Sequence, residues 1–284
     1  MEIGIFARTF PRPTLDETLE AIAGHGLRAV HFNFACAGLS SLPDAISAET
    51  CQAIRRSFEN RGMNMAAVSG TFNAIHPDAK LREADAKRCC GIIASAPAIG
   101  TGAVTLCTGT RDPDNMWRAH PDNRSAQAWK DLLHTLERLV PVAEEHGVFL
   151  GIEPETGNVI ESARKARQLL DEMKSNQLKI VMDGANLFYP DTTDRMQYIL
   201  EQAFDLLGPD ILMVHAKDIV WDEGKKSQAA GTGLLDYDLY MKLLAESGFD
   251  GPILLHNLEE SQVESSLAFV REHAARWFSK KGAD

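Results

Sequence analysis

Short apolar segments alternate with longer amphipathic segments along the whole chain. A short apolar run bounded by turn residues indicates a buried strand, and apolar residues three or four positions apart indicate a helix. Eight strands are predicted, at residues 2–6, 29–34, 64–69, 103–108, 149–153, 179–183, 211–216 and 252–256. Eight helices are predicted between and after them, at residues 15–24, 44–60, 81–97, 125–145, 163–174, 196–207, 237–247 and 262–278.

This alternation predicts an α/β chain that forms a single (β/α)8 TIM barrel over residues 1–284. Glycine ends several of the predicted helices, as in EHG before Val148 and SG before Phe249, where a left-handed cap is favoured. The chain length of 284 residues suits one barrel. An open doubly wound sheet is less favoured, because no glycine-rich nucleotide-binding fingerprint follows any predicted strand.

Composition excludes several classes of function. The net charge of −11 and the pI near 5.3 disfavour a nucleic-acid partner, and the nearest basic cluster, Lys225 and Lys226, is predicted to be a solvated loop. No apolar run approaches the length of about 18 residues that a membrane helix needs. The N-terminus lacks the pattern of an export signal, so we expect a cytoplasmic protein with no membrane partner. The five cysteines lack a CxxC spacing, which indicates reduced thiols.

Each of the last four predicted strands stops at a carboxylate or a histidine. These residues are Glu153, Asp183, His215 and His256. An unpaired buried carboxylate is costly unless it is paired or bound to a metal, and the carboxyl ends of barrel strands meet at one face. Glu, Asp and His suit a divalent ion such as Mn, Mg, Co or Zn. The alternative is that each is an ordinary polar strand end or a helix cap.

The chain resembles the xylose isomerase-like TIM-barrel superfamily over most of its length, and the resemblance is sharpest in the second half. The resemblance rests on GIEPE, MDGANLF and VHAKD in successive strands, then a GTG loop and GFDGPILL. That superfamily includes sugar phosphate isomerases and epimerases, ketose 3-epimerases, inosose dehydratases and AP endonucleases. The resemblance implies a divalent metal held by Glu153, Asp183, His215 and usually a glutamate at the eighth strand. Here the eighth position is His256, so His256 is the expected fourth ligand and Glu259 the alternative.

The resemblance also implies enolisation chemistry. A metal that chelates a carbonyl oxygen and the neighbouring hydroxyl stabilises an enediolate and makes the adjacent C–H acidic enough for a side-chain base. Glu153 or His256 is expected to move the proton, since neutral histidine can also act as a base. Lys217 lies on the same side of its strand as His215 and is expected either to stabilise the oxyanion or to pair with a carboxylate.

Further residues are expected to contact substrate. Glu155 and Asn186 follow the fifth and sixth strands, and each could instead be a turn or capping residue. The longest connections, 109–123 and 219–235, follow the fourth and seventh strands and are candidate lids. The candidates in the first of these loops are Trp117, Arg111 and His120. His76, in HPD after the third strand, is a further candidate.

The favoured function is therefore a metal-dependent isomerase or epimerase of a small carbohydrate. A dehydratase of a keto-inositol or related polyol uses the same enolisation and stays open. DNA repair hydrolysis is disfavoured by the acidic composition. A non-catalytic sugar-binding barrel is favoured only by the change to His256 at the fourth ligand position. Barrels of this group often pair, so a homo-oligomer is possible.

Overall fold

The computed structural model describes residues 1–222 and 225–278. In this part of the chain eight parallel strands close into a barrel, because β1 to β6 pair in chain order, β6 pairs with β7, β7 with β9 and β9 with β1. The predicted (β/α)8 TIM barrel is thus confirmed. The strands are β1 Ile3–Phe6, β2 Ala29–Phe32, β3 Asn64–Ser69, β4 Ala103–Cys107, β5 Phe149–Glu153, β6 Leu178–Asp183, β7 Ile211–Asp222, β8 Lys225–Ala229 and β9 Ile253–Leu255.

Helices follow the barrel strands and pack around them. They are α1 Leu15–Gly24, α2 Ala48–Glu59, α3 Ala79–Ile99, α4 Ala126–His146, α5 Ala163–Met173, α6 Met196–Leu207, α7 Tyr237–Glu246 and α8 Val263–Phe278. Local sequence sets their ends: Thr14 and Glu17 form a capping box at α1, and Gly147 ends α4 in a left-handed conformation with φ 64°. Helix α2 begins four residues later than predicted because the Ser47 side chain accepts from Thr50 N–H.

The inside of the barrel is built in layers. Small and apolar residues form a cluster contributed by six barrel strands, namely Ala29, Ala67, Ala103, Val181, Met213 and Leu254. Side chains two positions apart on a strand point to the same face. The next inward position on the same strands therefore carries a polar layer, namely His31, Ser69, Thr105, Asp183, His215 and, just after β9, His256. The apolar cluster fills the barrel beneath this polar layer.

One predicted loop contains regular structure. Residues 219–235 were expected to form a connection, but β7 continues to Asp222 and pairs with the antiparallel strand β8. Ile219, Val220 and Trp221 have the β-branched and aromatic side chains that favour an extended chain. Lys225 and Lys226, predicted to be a solvated loop, belong to β8, and their side chains lie outside the described residues. Among the helices described, none combines the length and apolarity needed to cross a membrane.

Candidate active site

A cavity of about 560 Å³ opens at the carboxyl ends of the barrel strands. This volume lies within the range of small-molecule sites, roughly 300–1,000 Å³. The apolar part of its lining includes four aromatic side chains, namely Phe6 at the end of β1, Trp117 and Phe188 in connections, and Trp221 near the end of β7. Seven of the residues predicted from the sequence line the cavity: Trp117, Glu153, Glu155, Asn186, His215, Lys217 and His256.

Two carboxylates, a lysine and a histidine meet at the floor of the cavity, which Glu153, His215 and Lys217 line and beneath which Asp183 is fully buried. Lys217 Nζ lies 2.6 Å from Asp183 Oδ2 and 3.4 Å from Glu153 Oε1. His215 Nδ1 lies 3.3 Å from Glu153 Oε1 and 3.8 Å from Asp183 Oδ2. Asn186 Nδ2 donates to Glu153 Oε1 at 2.7 Å. Parallel pairing places Asp183 opposite His215 across β6 and β7, which accounts for this convergence.

The opposite charges in this cluster shift the pKa values of their neighbours. Burial opposes the Lys217 ammonium, but the negative charges of Asp183 and Glu153 outweigh burial and raise the pKa of Lys217. Burial also opposes the Glu153 carboxylate, and the charge of Lys217 is the largest of the effects that outweigh burial and hold the pKa of Glu153 well below its usual range. Lys217 and Glu153 are therefore an ammonium and a carboxylate at neutral pH.

Three imidazoles form the adjoining side of the cavity. The rings of His215 and His256 stack with centroids 4.4 Å apart, and the His31 ring lies 5.6 Å from that of His215. Phe6 stacks on His256 at 4.7 Å. Burial, followed by the neighbouring His215, lowers the pKa of His31 to about 3, and burial likewise lowers the pKa of His256. The sequence interpretation missed His31, whose only signal was a histidine inside the apolar strand AVHF.

Several ring nitrogens in this cluster make no hydrogen bond with any described residue. These buried atoms are His31 Nδ1, both ring nitrogens of His215, and His256 Nδ1. A buried polar atom without a partner costs free energy, roughly 1–3 kcal/mol, unless a ligand satisfies it. One ligand atom from each of Glu153, Asp183 and His215 lies within 4.8 Å of the other two, and the same holds for His31, His215 and His256. Imidazole and carboxylate donors so arranged fit a divalent ion.

Four residues predicted to contact substrate do not line this cavity. Arg111 pairs with Asp131 and donates to the Ile75 carbonyl oxygen. His76 Nδ1 accepts from Asp78 N–H, and its Nε2 lies 3.1 Å from Pro113 O. His120 lines a separate pocket, where its Nδ1 accepts from Asp122 N–H. Glu259 is exposed, and its N–H donates to Gln262 Oε1. These side chains and backbone groups hold loops together around the site.

Asp218 supports the site without being part of the sequence prediction. It is 1% exposed and follows Lys217 on β7, so its side chain points away from the barrel interior. Its carboxylate accepts from the N–H groups of Ile219, Gly231 and Leu235 at 2.8–2.9 Å. Asp218 thus ties the GTG loop to the end of the barrel strand that carries His215 and Lys217.

Comparison with known proteins agrees with this architecture. The family described as xylose isomerase-like TIM barrel matches residues 19–278. Comparison with curated proteins gives no significant match. A D-tagatose 3-epimerase-like protein is similar in structure, with a TM-score of 0.78, 18% identity and 99% of each chain covered.

Two further solved structures share the fold. A 3-keto-D-glucoside 4-epimerase from E. coli has a TM-score of 0.74 and 18% identity, over 96% of this chain and 99% of that one. An IolI protein with a bound zinc atom has a TM-score of 0.73 and 16% identity over 100% of both chains. At these identities the structural likeness establishes the fold.

Proposed function

Because the chain belongs to the xylose isomerase-like TIM-barrel family, we propose that it is a divalent-metal-dependent isomerase or epimerase of a small carbohydrate or sugar derivative. The observation that carries the proposal is the convergence of Glu153, Asp183 and His215 from three neighbouring strands on the floor of the cavity. Two of the similar structures are named as sugar epimerases or as epimerase-like, and a third holds zinc. These names support a sugar substrate and a metal.

The metal ligands proposed are Glu153, Asp183, His215 and His256, for manganese, magnesium, cobalt or zinc. When bound, the ion supplies Lewis-acid polarisation of a substrate carbonyl. Lys217 Nζ lies 2.6 Å from Asp183 Oδ2 and neutralises part of the charge of that carboxylate. A metal ion held by Asp183 would neutralise part of the same charge. The Lys217 ammonium is then available to donate a hydrogen bond to a substrate oxygen that gains negative charge.

Glu153 is the proposed base. All the contacts described above for its carboxylate involve Oε1, which accepts from Asn186 and faces His215 and Lys217. Oε2 is therefore the atom assigned to take the proton from the carbon beside the carbonyl, while the C–H electron pair moves toward the carbonyl oxygen. His256 stands where the family resemblance places a second glutamate, so it either completes the ligand set or returns the proton.

The cavity lining suits a sugar. Trp117 and Trp221 offer flat apolar faces to the cavity, and Glu155 and Asn186 present polar atoms to it. Sites for small molecules combine aromatic lining with a few placed polar groups in this way. Glu155 is held by Asn158 Nδ2 at 3.1 Å, which orients its carboxylate for hydroxyl groups of the substrate.

The test is solvent exchange. The protein, reconstituted with Mn(II), Co(II) or Zn(II), is incubated in deuterated water with a panel of ketoses and keto-glycosides, and recovered sugars are analysed by NMR and mass spectrometry. We expect deuterium at the carbon beside the carbonyl. Glu153→Gln should slow this exchange by about 10²–10⁴-fold, and Glu137→Gln, an exposed substitution on α4, should leave it unchanged.

Two outcomes would contradict the proposal. One is the absence of exchange with every sugar and metal in the panel, and the other is undiminished exchange in Glu153→Gln. A product lighter by one water would replace the epimerase by a dehydratase that uses the same base.

A further inference from the structure

The unusual feature of this site is its histidine content. The pattern implied by the family resemblance has one imidazole and three carboxylates, whereas this cavity brings His31, His215 and His256 together beside Glu153 and Asp183. His31 lies on β2. In the barrel, β1 and β9 separate β2 from β7, the strand that carries His215. Neither the resemblance nor the strand-end pattern assigns it a role.

His31 is held in a way that suits a ligand. Its Nε2 lies 2.9 Å from Thr105 Oγ1, and its Nδ1 is buried with no hydrogen-bond partner in residues 1–222 and 225–278. With Nε2–H donating to the threonine hydroxyl, Nδ1 carries the lone pair. Metal-ligating histidines are commonly fixed in this way, with one ring nitrogen donating to an oxygen while the other binds the ion.

The two neighbouring histidines also have buried ring nitrogens that make no hydrogen bond with a described residue. Both ring nitrogens of His215 and Nδ1 of His256 are buried and make no hydrogen bond in the described part of the chain, although His215 Nδ1 lies 3.3 Å from Glu153 Oε1. One nitrogen from each of the three rings lies within 4.8 Å of the others. Two nitrogens on one zinc ion are at most about 4.2 Å apart, since each Zn–N bond is about 2.1 Å. The rings of His215 and His256 are nearly parallel, with an interplanar angle of 16°, so each must turn to direct a nitrogen at a shared ion. All three rings line the cavity, from which an ion can enter.

We propose that His31 is a further ligand of the metal centre, so that His31, His215 and His256 form a three-imidazole face opposite Glu153 and Asp183. Imidazole favours zinc, nickel and copper, whereas carboxylates favour magnesium and manganese. The centre therefore selects a borderline ion such as zinc or cobalt over the harder ions. This inference rests on the metal centre of the proposed function and assigns its class of metal.

The first test counts imidazoles directly. X-ray absorption at the zinc edge of the reconstituted wild-type protein distinguishes imidazole from carboxylate ligands and needs no variant. We expect three imidazoles per zinc ion. One or two imidazoles would overturn the three-imidazole centre and leave the proposed function standing, whereas a wild-type chain that binds no divalent ion would contradict the proposed function itself.

The second test measures selectivity. Dissociation constants for Zn(II) and Mn(II) are determined by competition with a chelating dye for the wild type, His31→Phe and Thr105→Val. Phenylalanine keeps an aromatic ring against Phe6 and His215 but has no nitrogen. We expect His31→Phe to weaken zinc binding by at least about tenfold and manganese binding by less, and Thr105→Val to weaken zinc binding by about tenfold.

The matched control is His134→Phe on α4, whose side chain is 58% exposed and outside the cavity. It should not change either constant. Circular dichroism before titration confirms that each variant is folded. Unchanged zinc affinity in both folded His31→Phe and folded Thr105→Val would overturn the inference.

Discussion

Replacing Lys217 by methionine removes the ammonium that lies between the carboxylates of Asp183 and Glu153. Lys217 is 7% exposed and Asp183 is fully buried, so water cannot take the place of the lost charge. Removing one partner of a buried ion pair costs about 3–5 kcal/mol, because the other charge stays buried without compensation. We expect Lys217→Met to lower the free energy of unfolding of the metal-free protein by about that amount.

The assay is urea unfolding in the presence of a chelator and again with excess Zn(II). A bound divalent ion compensates Asp183 and Glu153 without competition from the lysine, so the metal should stabilise the variant more than the wild type. The double variant Lys217→Met with Asp183→Asn removes both members of this ion pair. It should recover part of the free energy of unfolding that Lys217→Met loses. Lys242→Met, which breaks only an exposed pair with Glu246 on α7, should change little.

Two results would refute this reasoning. A loss below about 1 kcal/mol in the metal-free variant would mean that the buried carboxylates are not compensated by Lys217. An equal effect of zinc on the variant and the wild type would mean that the ion does not bind at these carboxylates.

Two further expectations follow from single side chains. The pKa of His31 is lowered to about 3 by burial, below the unfolded value of about 6.5. Between these values the unfolded chain binds more protons than the folded chain. The contribution of His31 to the free energy of unfolding is therefore fully present above pH 6.5 and decreases as the pH falls. At pH 5 the metal-free protein should be about 2 kcal/mol less stable than at pH 8 through His31 alone, a loss that His31→Phe should lack in parallel denaturation curves; identical pH slopes would contradict it. Asp218→Ala leaves three backbone N–H groups without their acceptor and should cost about 3 kcal/mol or more in the same assay, whereas a loss below about 1 kcal/mol would mean that the GTG loop is held by other contacts.

The fold was accessible from the sequence because local signals and the global arrangement agree. The predicted bounds of β3, β5, α1 and α6 match the structure to the residue. Glycine and serine caps mark the helix ends, and most strand residues are apolar. The extension of β7 was missed because it depends on pairing between β7 and β8, and the sequence DEGKKSQ over residues 222–228 is charged and polar rather than apolar.

The site was accessible only in part. Glu153 and Asp183 end apolar strands and His215 follows the apolar start of β7, so their position signals a shared face. His31 is a histidine inside a strand, and its neighbours come from β7 and β9 only after the barrel closes. Arg111 looked like a substrate contact because it is cationic and lies in a long loop. The sequence alone does not reveal its pairing with Asp131, which depends on how that loop folds back on α4.

The most direct test of the central claim is the metal content of the purified protein after reconstitution, measured by mass spectrometry for the wild type and for Asp183→Ala. We expect about one divalent ion per chain in the wild type and loss of that ion in Asp183→Ala, with His134→Phe behaving as the wild type. The absence of a bound ion in the wild type, or its full retention in Asp183→Ala, would contradict a metal centre on the floor of the cavity.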